Sequence, residues 1–290
     1  DGTITDRRAG RIATDECVRL SAKLQAATQD ILPGYEVFVR PVEEHRFVLV
    51  IRGEGLGGAL SETDPLVTGQ KPLRVEDQSG TPEGAHTAEL VNRWVDRARA
   101  ALGDEPKANS LNLRGLAKDP GLPSFEEIYG LHAAVIAVYP MYKGVARLVG
   151  METVNFEGDR PHHEIEALER AWNDYDFFFI HFKYTDKAGE DGNFDAKVQA
   201  IEDFDAALPI LMRKKPDVIA VTGDHSTPCA MRGHSWHPQP VLLHSAFSGW
   251  DKLDRFTETG ANLGALGTFE AKYLMRLMQA NARMFAKFGA

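Results

Sequence analysis

Three short runs, Ala133–Val138, Asp176–Phe182 and Val218–Thr222, are apolar almost without interruption, and stretches with helical periodicity separate them. A strand that is apolar on both faces has no side to offer to water, so it must sit in a sheet covered above and below. Strands of that kind alternating with amphipathic helices specify a largely parallel sheet sandwiched by helices. The helical stretches read as Glu164–Trp172, Phe194–Leu211 and Thr268–Ala282, with Lys143–Gly150 as a turn into a short helix. In the second of these, Val198, Ile201, Phe204, Leu208 and Leu211 recur at spacings of three and four, the period of one helix face.

The first hundred residues follow another pattern. Asp15–Ala27 reads as a helix with Val18, Leu20 and Leu24 as apolar positions and Thr14 as N-cap. Val37–Arg40 and Phe47–Ile51 read as a hairpin, Arg52–Lys71 as loop, and Ala85–Leu102 as a helix burying Leu90, Val91, Trp94, Val95, Ala98 and Leu102. The polar connector 103–109, with Pro106, suggests an α+β domain over 1–108 and an α/β domain over 109–290, the latter opening with a strand at Leu111–Arg114. Trp94 and Trp172 are expected in the core.

Net charge is −9, from 33 Lys+Arg against 42 Asp+Glu, which argues against nucleic acid or an anionic membrane as the main partner. No apolar run approaches the ~20 residues of a membrane span. With only Cys17 and Cys229, a disulfide framework is excluded and a reducing, cytoplasmic compartment is expected. The chain opens at Asp1 inside what reads as a turn and strand over 1–5, as expected of a piece of a longer polypeptide.

The chemistry concentrates at strand ends. Val218–Thr222 runs directly into Gly223, Asp224 and His225, and a second loop histidine, His234, follows. Asp176–Phe182 likewise leads to Asp186 and Glu190, with Asp191 as an alternative to Glu190. Ligands in open α/β sheets bind beyond the carboxyl ends of strands. If the two strands are neighbours, two or three carboxylates and two histidines meet at one edge, a mixed oxygen and imidazole set suited to Mn²⁺, Zn²⁺ or Fe²⁺ rather than to a structural cysteine-bound zinc. Taken singly, each motif also fits a capping aspartate beside a surface histidine. His162 and His163 read as an exposed loop.

The run Thr222–Cys229, followed by His234–Pro240, resembles cofactor-independent phosphoglycerate mutases of the archaeal type, within the alkaline phosphatase superfamily. Residues 6–12, His45-Arg46, 143–147, 181–183 with Asp186, and 287–290 carry the same resemblance. It implies an alkaline-phosphatase-like α/β core with a smaller inserted α+β substrate domain. It also implies two divalent ions, manganese first with magnesium, zinc or cobalt as alternatives, and no requirement for 2,3-bisphosphoglycerate. Asp224 and His225 correspond to ligands of one ion, and Asp186 and His234 to ligands of the other. Glu190 stands where the family often has histidine; a carboxylate is a harder donor and would shift preference towards Mg²⁺ or Mn²⁺.

The resemblance further implies a phosphoglycerate substrate and a serine nucleophile, expected upstream of this chain. That serine takes the phosphoryl group, and the reoriented glycerate takes it back. His181 and Lys183 lie close enough to the ligand segment to support it. Lys143 is a candidate for contact with the transferring phosphoryl group and also fits a plain lysine at a helix N-terminus. Arg7 and Arg11, with Arg8, Arg46 and Arg114, are the expected substrate contacts, because a guanidinium fork matches carboxylate and phosphate oxygens; Arg46 also fits an ordinary strand-end arginine. Two other functions stay open: a metal-dependent phosphatase or phosphomutase on another small phosphate ester, and a non-catalytic metal-binding fragment.

Overall fold

The computed structural model describes residues 2–285, so Asp1 and the motif at 287–290 lie outside the described residues. The chain divides into two compact units, Asp1–Gly121 and Leu122–Ala290.

In the first unit, helix α1 (Thr14–Thr28) precedes the strands β1 (Glu36–Pro41) and β2 (Phe47–Arg52), and α2 (Pro82–Leu102) follows after a long irregular segment. β1 and β2 pair antiparallel, Glu36 opposite Arg52 and Pro41 opposite Phe47. Alternation puts Val37 and Val39 inward, where they join Leu20 and Leu24 of α1 and the expected face of α2, with Trp94 wholly buried. Thr81 caps α2 by accepting from the Gly84 amide, and Pro82 fits the first turn, where its missing N–H costs nothing; the helix therefore starts before Ala85.

Several expectations are corrected here. Thr14 lies inside α1 and Ala13 holds the cap position, because the Thr14 hydroxyl accepts from the Glu44 amide instead. Val18 is 49% exposed; the 3.6-residue period places Cys17, not Val18, on the inner face with Leu20 and Leu24. Gly2–Thr5 forms no strand, and Ile4 exchanges backbone bonds with Gly69 and Gln70. Leu111–Arg114 is not a strand either. Leu111 and Leu113 are buried in the first unit's core, and Thr63 and Leu113 bond each other's backbone and hydroxyl, so the division falls after Gly121 rather than at 108.

The second unit contains α3 (Phe125–Tyr129), β3 (Ala133–Ala137), α4 (Pro140–Leu148), β4 (Glu152–Thr153), α5 (Pro161–Ala171), β5 (Phe177–His181), α6 (Tyr184–Glu190), α7 (Phe194–Arg213), β6 (Val218–Val221), β7 (Leu242–Ser245), α8 (Glu258–Ala261) and α9 (Leu274–Asn281). β4, β3 and β5 form a parallel sheet in that order, and β6 pairs antiparallel with β7. Every residue of β3 is buried, as its apolar run requires. β5 and β6 are only half-buried, because among the described residues each pairs along one edge alone.

The helices differ from expectation mainly at their ends. Prolines at the first turn start α4 at Pro140 and α5 at Pro161, so His162 and His163 lie on a helix rather than a loop, and His163 Nδ1 accepts from the Arg160 amide at 3.1 Å. On α7, Leu211 is buried with Ala200 and Ala207, but Val198 and Ile201 are exposed. The expected Thr268–Ala282 helix is a short 3₁₀ turn, Ala271–Tyr273, followed by α9. Trp172 stacks on Phe178 with nearly parallel rings, beside the core of Ile136, Ile165 and Leu168.

Candidate metal centre

α6 begins three residues past β5, which places Asp186 on its first turn and Glu190 one turn later on the same face. The segment after β6 folds back on itself through an isolated bridge in which the Ser235 amide donates to the Ser226 carbonyl at 2.9 Å. That bridge stacks His234 on His225, ring centroids 3.8 Å apart.

The two segments meet at Asp186. Its Oδ1 accepts a 2.6 Å hydrogen bond from the buried Thr227 hydroxyl and lies 3.5 Å from His234 Nε2 and 3.8 Å from His225 Nδ1. Its Oδ2 pairs with the Lys183 ammonium. One donor atom from each of Asp186, His225 and His234 falls within 4.8 Å of the others. Glu190 joins from the exposed side, 3.9 Å from His234 Nε2. On the far side of His225, Nε2 lies 3.5 Å from Asp224 Oδ2. His225 thus stands between the two carboxylates and turns a different ring nitrogen to each. Asp191 ends α6 and forms no ion pair with these histidines among the described residues.

Electrostatics favour ionised carboxylates. Burial opposes ionisation of Asp186, but Lys183 and Thr227 outweigh it and hold the carboxyl below the ordinary range. Burial opposes Asp224 in the same way and is overcome by a 2.6 Å hydrogen bond from the Tyr142 hydroxyl and by His225 and His181. His181 stacks on Tyr142 with centroids 3.3 Å apart, and burial pushes its pKa down to about 4, so its ring is neutral near pH 7. Carboxylate oxygens of Asp186 and Asp224 beside imidazole nitrogens of His225 and His234 form a mixed donor set that fits a divalent cation.

Gly189 makes this junction possible. A Cβ there would collide with the Thr227 carbonyl, so only glycine lets α6 approach the loop this closely. Neither Thr227 nor Tyr142 stands out as a site residue in the sequence. Their signal is adjacency alone, Thr227 two residues past His225 and Tyr142 next to Lys143.

Lys143 is half-buried on α4, its ammonium 5.8 Å from the Phe156 ring centroid. The arginines belong to the first unit and form two groups. Arg7 grips the buried Asp64 through Nε at 2.9 Å and Nη2 at 2.5 Å, and Arg114 reaches Asp64 at 3.7 Å and Glu62 at 3.4 Å. Arg114 is thus not part of a strand of the metal-binding unit. Arg8, Arg11 and Arg46 act together on His45, whose pKa is lowered first by burial and then by their charge. Arg11 pairs with Glu44 at 3.2 Å, whereas Arg8 and Arg46 form no ion pair among the described residues.

The profile of the Metalloenzyme superfamily matches residues 64–281, and that of 2,3-bisphosphoglycerate-independent phosphoglycerate mutase matches residues 1–108. A protein of Aquifex aeolicus named as a probable 2,3-bisphosphoglycerate-independent phosphoglycerate mutase is 47% identical over 291 residues, covering 99% of this chain and 71% of the relative. The chain belongs to this mutase family. A Thermus thermophilus protein of the same name is also 47% identical, over 292 residues, with 100% of this chain and 71% of the relative covered. Among solved structures, the cofactor-independent phosphoglycerate mutase of Thermoplasma acidophilum matches with a TM-score of 0.66 at 26% identity, over 97% of this chain and 74% of that one. A Pyrococcus horikoshii protein shares the fold, with a TM-score of 0.75 at 24% identity, over 97% of this chain and 72% of that one. The expected alkaline-phosphatase-like α/β class agrees with both the superfamily and these neighbours.

Proposed function

We propose that this mutase-family chain interconverts 3-phosphoglycerate and 2-phosphoglycerate without 2,3-bisphosphoglycerate, in cytoplasmic glycolysis and gluconeogenesis. The observation that carries this reading is the convergence of Asp186, Glu190 and His234 on one side of His225 and of Asp224 on the other. In this proposal Asp224 and His225 hold one divalent ion, and Asp186, Glu190 and His234 hold a second, manganese being preferred. Such ions, when bound, neutralise phosphoryl charge and favour an ionised oxygen nucleophile.

The residues of the chain do the rest. Thr227 and Lys183 keep Asp186 ionised and oriented, and Tyr142 does the same for Asp224. The His225 Nδ1 contact with the Thr227 hydroxyl at 3.1 Å fixes the ring that both carboxylates face. Lys143 supplies a compact positive charge to the transferring phosphoryl group. A serine outside these 290 residues is the proposed carrier of that group. Arg7, Arg8, Arg11, Arg46 and Arg114 contact the phosphoglycerate, and that Arg8 and Arg46 form no ion pair among the described residues supports those two as anion contacts.

The test is phosphorus NMR of the native-length protein with 3-phosphoglycerate and Mn²⁺, without added 2,3-bisphosphoglycerate. The 2-phosphoglycerate resonance should appear, stop with EDTA and return with Mn²⁺. Free phosphate in its place would identify a phosphatase, and no turnover in the metal-loaded protein would overturn the reading.

A further inference from the structure

Thr227, whose hydroxyl touches both Asp186 and His225, is itself held from a third direction. The Lys197 ammonium on α7 donates to the Thr227 backbone carbonyl at 2.7 Å, and no other group of the described residues donates to that oxygen. Thr227 is buried, so its carbonyl has little water to turn to and needs a partner from the protein.

Lys197 stands on a fixed base. Asn193 caps α7 by accepting from the Ala196 amide at 3.0 Å, and its own amide donates to the Ala188 carbonyl at 2.9 Å. The turn between α6 and α7 is closed further by the Gly192 amide on the Gly189 carbonyl at 3.0 Å, with Gly192 at a φ of +68°. The helix that carries Asp186 and the helix that carries Lys197 thus meet at one tight corner, and the Thr227 peptide lies against both: Gly189 of α6 faces its carbonyl, and Lys197 of α7 grips it.

The charge of Lys197 makes this placement informative. Lys183 pairs with the Asp186 carboxylate, but Lys197 forms no ion pair among the described residues, and it is half-buried. One residue, Thr227, separates its ammonium from Asp186 and His225. Like charges repel, so as a bare charge Lys197 opposes a cation at those ligands. Holding a lysine in one rotamer also costs side-chain entropy. We propose that Lys197 is a positioning residue for the metal centre: by fixing the Thr227 carbonyl it sets where the Thr227 hydroxyl meets Asp186 Oδ1 and His225 Nδ1. The inference rests on the reading of Asp186, His225 and His234 as metal ligands, and it assigns the lysine an effect opposite in sign to that of its charge.

The experiment is titration calorimetry of Mn²⁺ into the native-length protein and its Lys197→Met, Thr227→Val and Lys197→Met/Thr227→Val variants, with crystal structures of the metal-free unmodified and Lys197→Met proteins. Lys197→Met should weaken Mn²⁺ binding about tenfold, the lower end of what losing support behind a metal ligand costs. In the Thr227→Val background, where the hydroxyl is already gone, it should change binding by no more than about twofold. In the metal-free Lys197→Met crystal the Thr227 hydroxyl should have left its 2.6 Å contact with Asp186. Tighter or unchanged Mn²⁺ binding in Lys197→Met would show that the lysine acts as a charge or not at all, and equal weakening in both backgrounds would show that it does not act through the hydroxyl; either result overturns the proposal. If the unmodified protein binds no Mn²⁺, the metal reading fails, and the metal-free crystals still decide the positioning: an unchanged Thr227–Asp186 contact overturns it, a broken one supports it. Should Lys197→Met fail to fold, Lys197→Gln, whose shorter side chain falls short of the carbonyl, gives the same comparison; unfolding of both would make the lysine structural and end the proposal.

Discussion

The Thr227 hydroxyl donates to Asp186 Oδ1 at 2.6 Å, joining the loop that follows β6 to the helix that follows β5. Thr227 is 3% exposed, so its hydroxyl has little water to turn to, and the same oxygen lies 3.1 Å from His225 Nδ1. One side chain therefore orients a carboxylate and an imidazole together.

Thr227→Val keeps the shape and removes that hydroxyl. It should cost about 1–3 kcal/mol of stability, because a buried acceptor is left unpaired. It should also weaken Mn²⁺ binding by about 10–100-fold, the usual effect of losing a group that orients a metal ligand. Thr227→Ser should restore most of both. Denaturant unfolding and titration calorimetry read the two quantities separately.

Gly189→Ala should reverse a general rule. Glycine to alanine inside a helix ordinarily stabilises by about 1 kcal/mol. Here the new methyl would strike the Thr227 carbonyl, so a loss of about 1–3 kcal/mol is expected, with weaker metal binding as α6 moves away from the loop. Thermal unfolding with and without Mn²⁺ checks both parts.

Asp64→Asn tests the arginine group. The Asp64 side chain is 4% exposed, and the Arg7 guanidinium holds its carboxyl below the ordinary range. A group depressed on folding contributes stability above the unfolded carboxylate's pKa of about 4, and that contribution is lost as pH falls below it. The variant should lose about 2–3 kcal/mol at pH 7, less than a fully buried pair because Arg7 is 29% exposed, and the gap should narrow towards pH 3. If Arg7 contacts substrate, KM for phosphoglycerate should rise as well.

Periodicity alone located the long helices α1, α2, α5 and α7 and the wholly buried β3, because a long apolar face leaves little choice of partner; the short α3, α6 and α8 carry no such face. It misjudged Leu111–Arg114, where a short apolar run packs as irregular backbone against Thr63, a tertiary contact with no local signature. It misjudged Val198 and Ile201 because apolar spacing marks a face without saying what covers it. The ligand candidates Asp186, Asp224, His225 and His234 were legible because strand ends followed by Asp and His are distinctive in one dimension. Thr227, Tyr142 and Gly189 were not: a supporting hydroxyl or a required close approach exists only once two distant segments meet. Lys197 was hidden for a related reason, since nothing in a helix-forming stretch announces that one of its lysines reaches a carbonyl on another segment.

The central claim is that Asp186, Glu190 and His234, with Asp224 and His225, surround divalent cations. Anomalous diffraction at the manganese edge, on crystals of the native-length protein grown with Mn²⁺, measures this directly. The account predicts two peaks, one between Asp186 and His234 and one beside Asp224 and His225. No peak at these residues, or manganese bound only elsewhere, would contradict it.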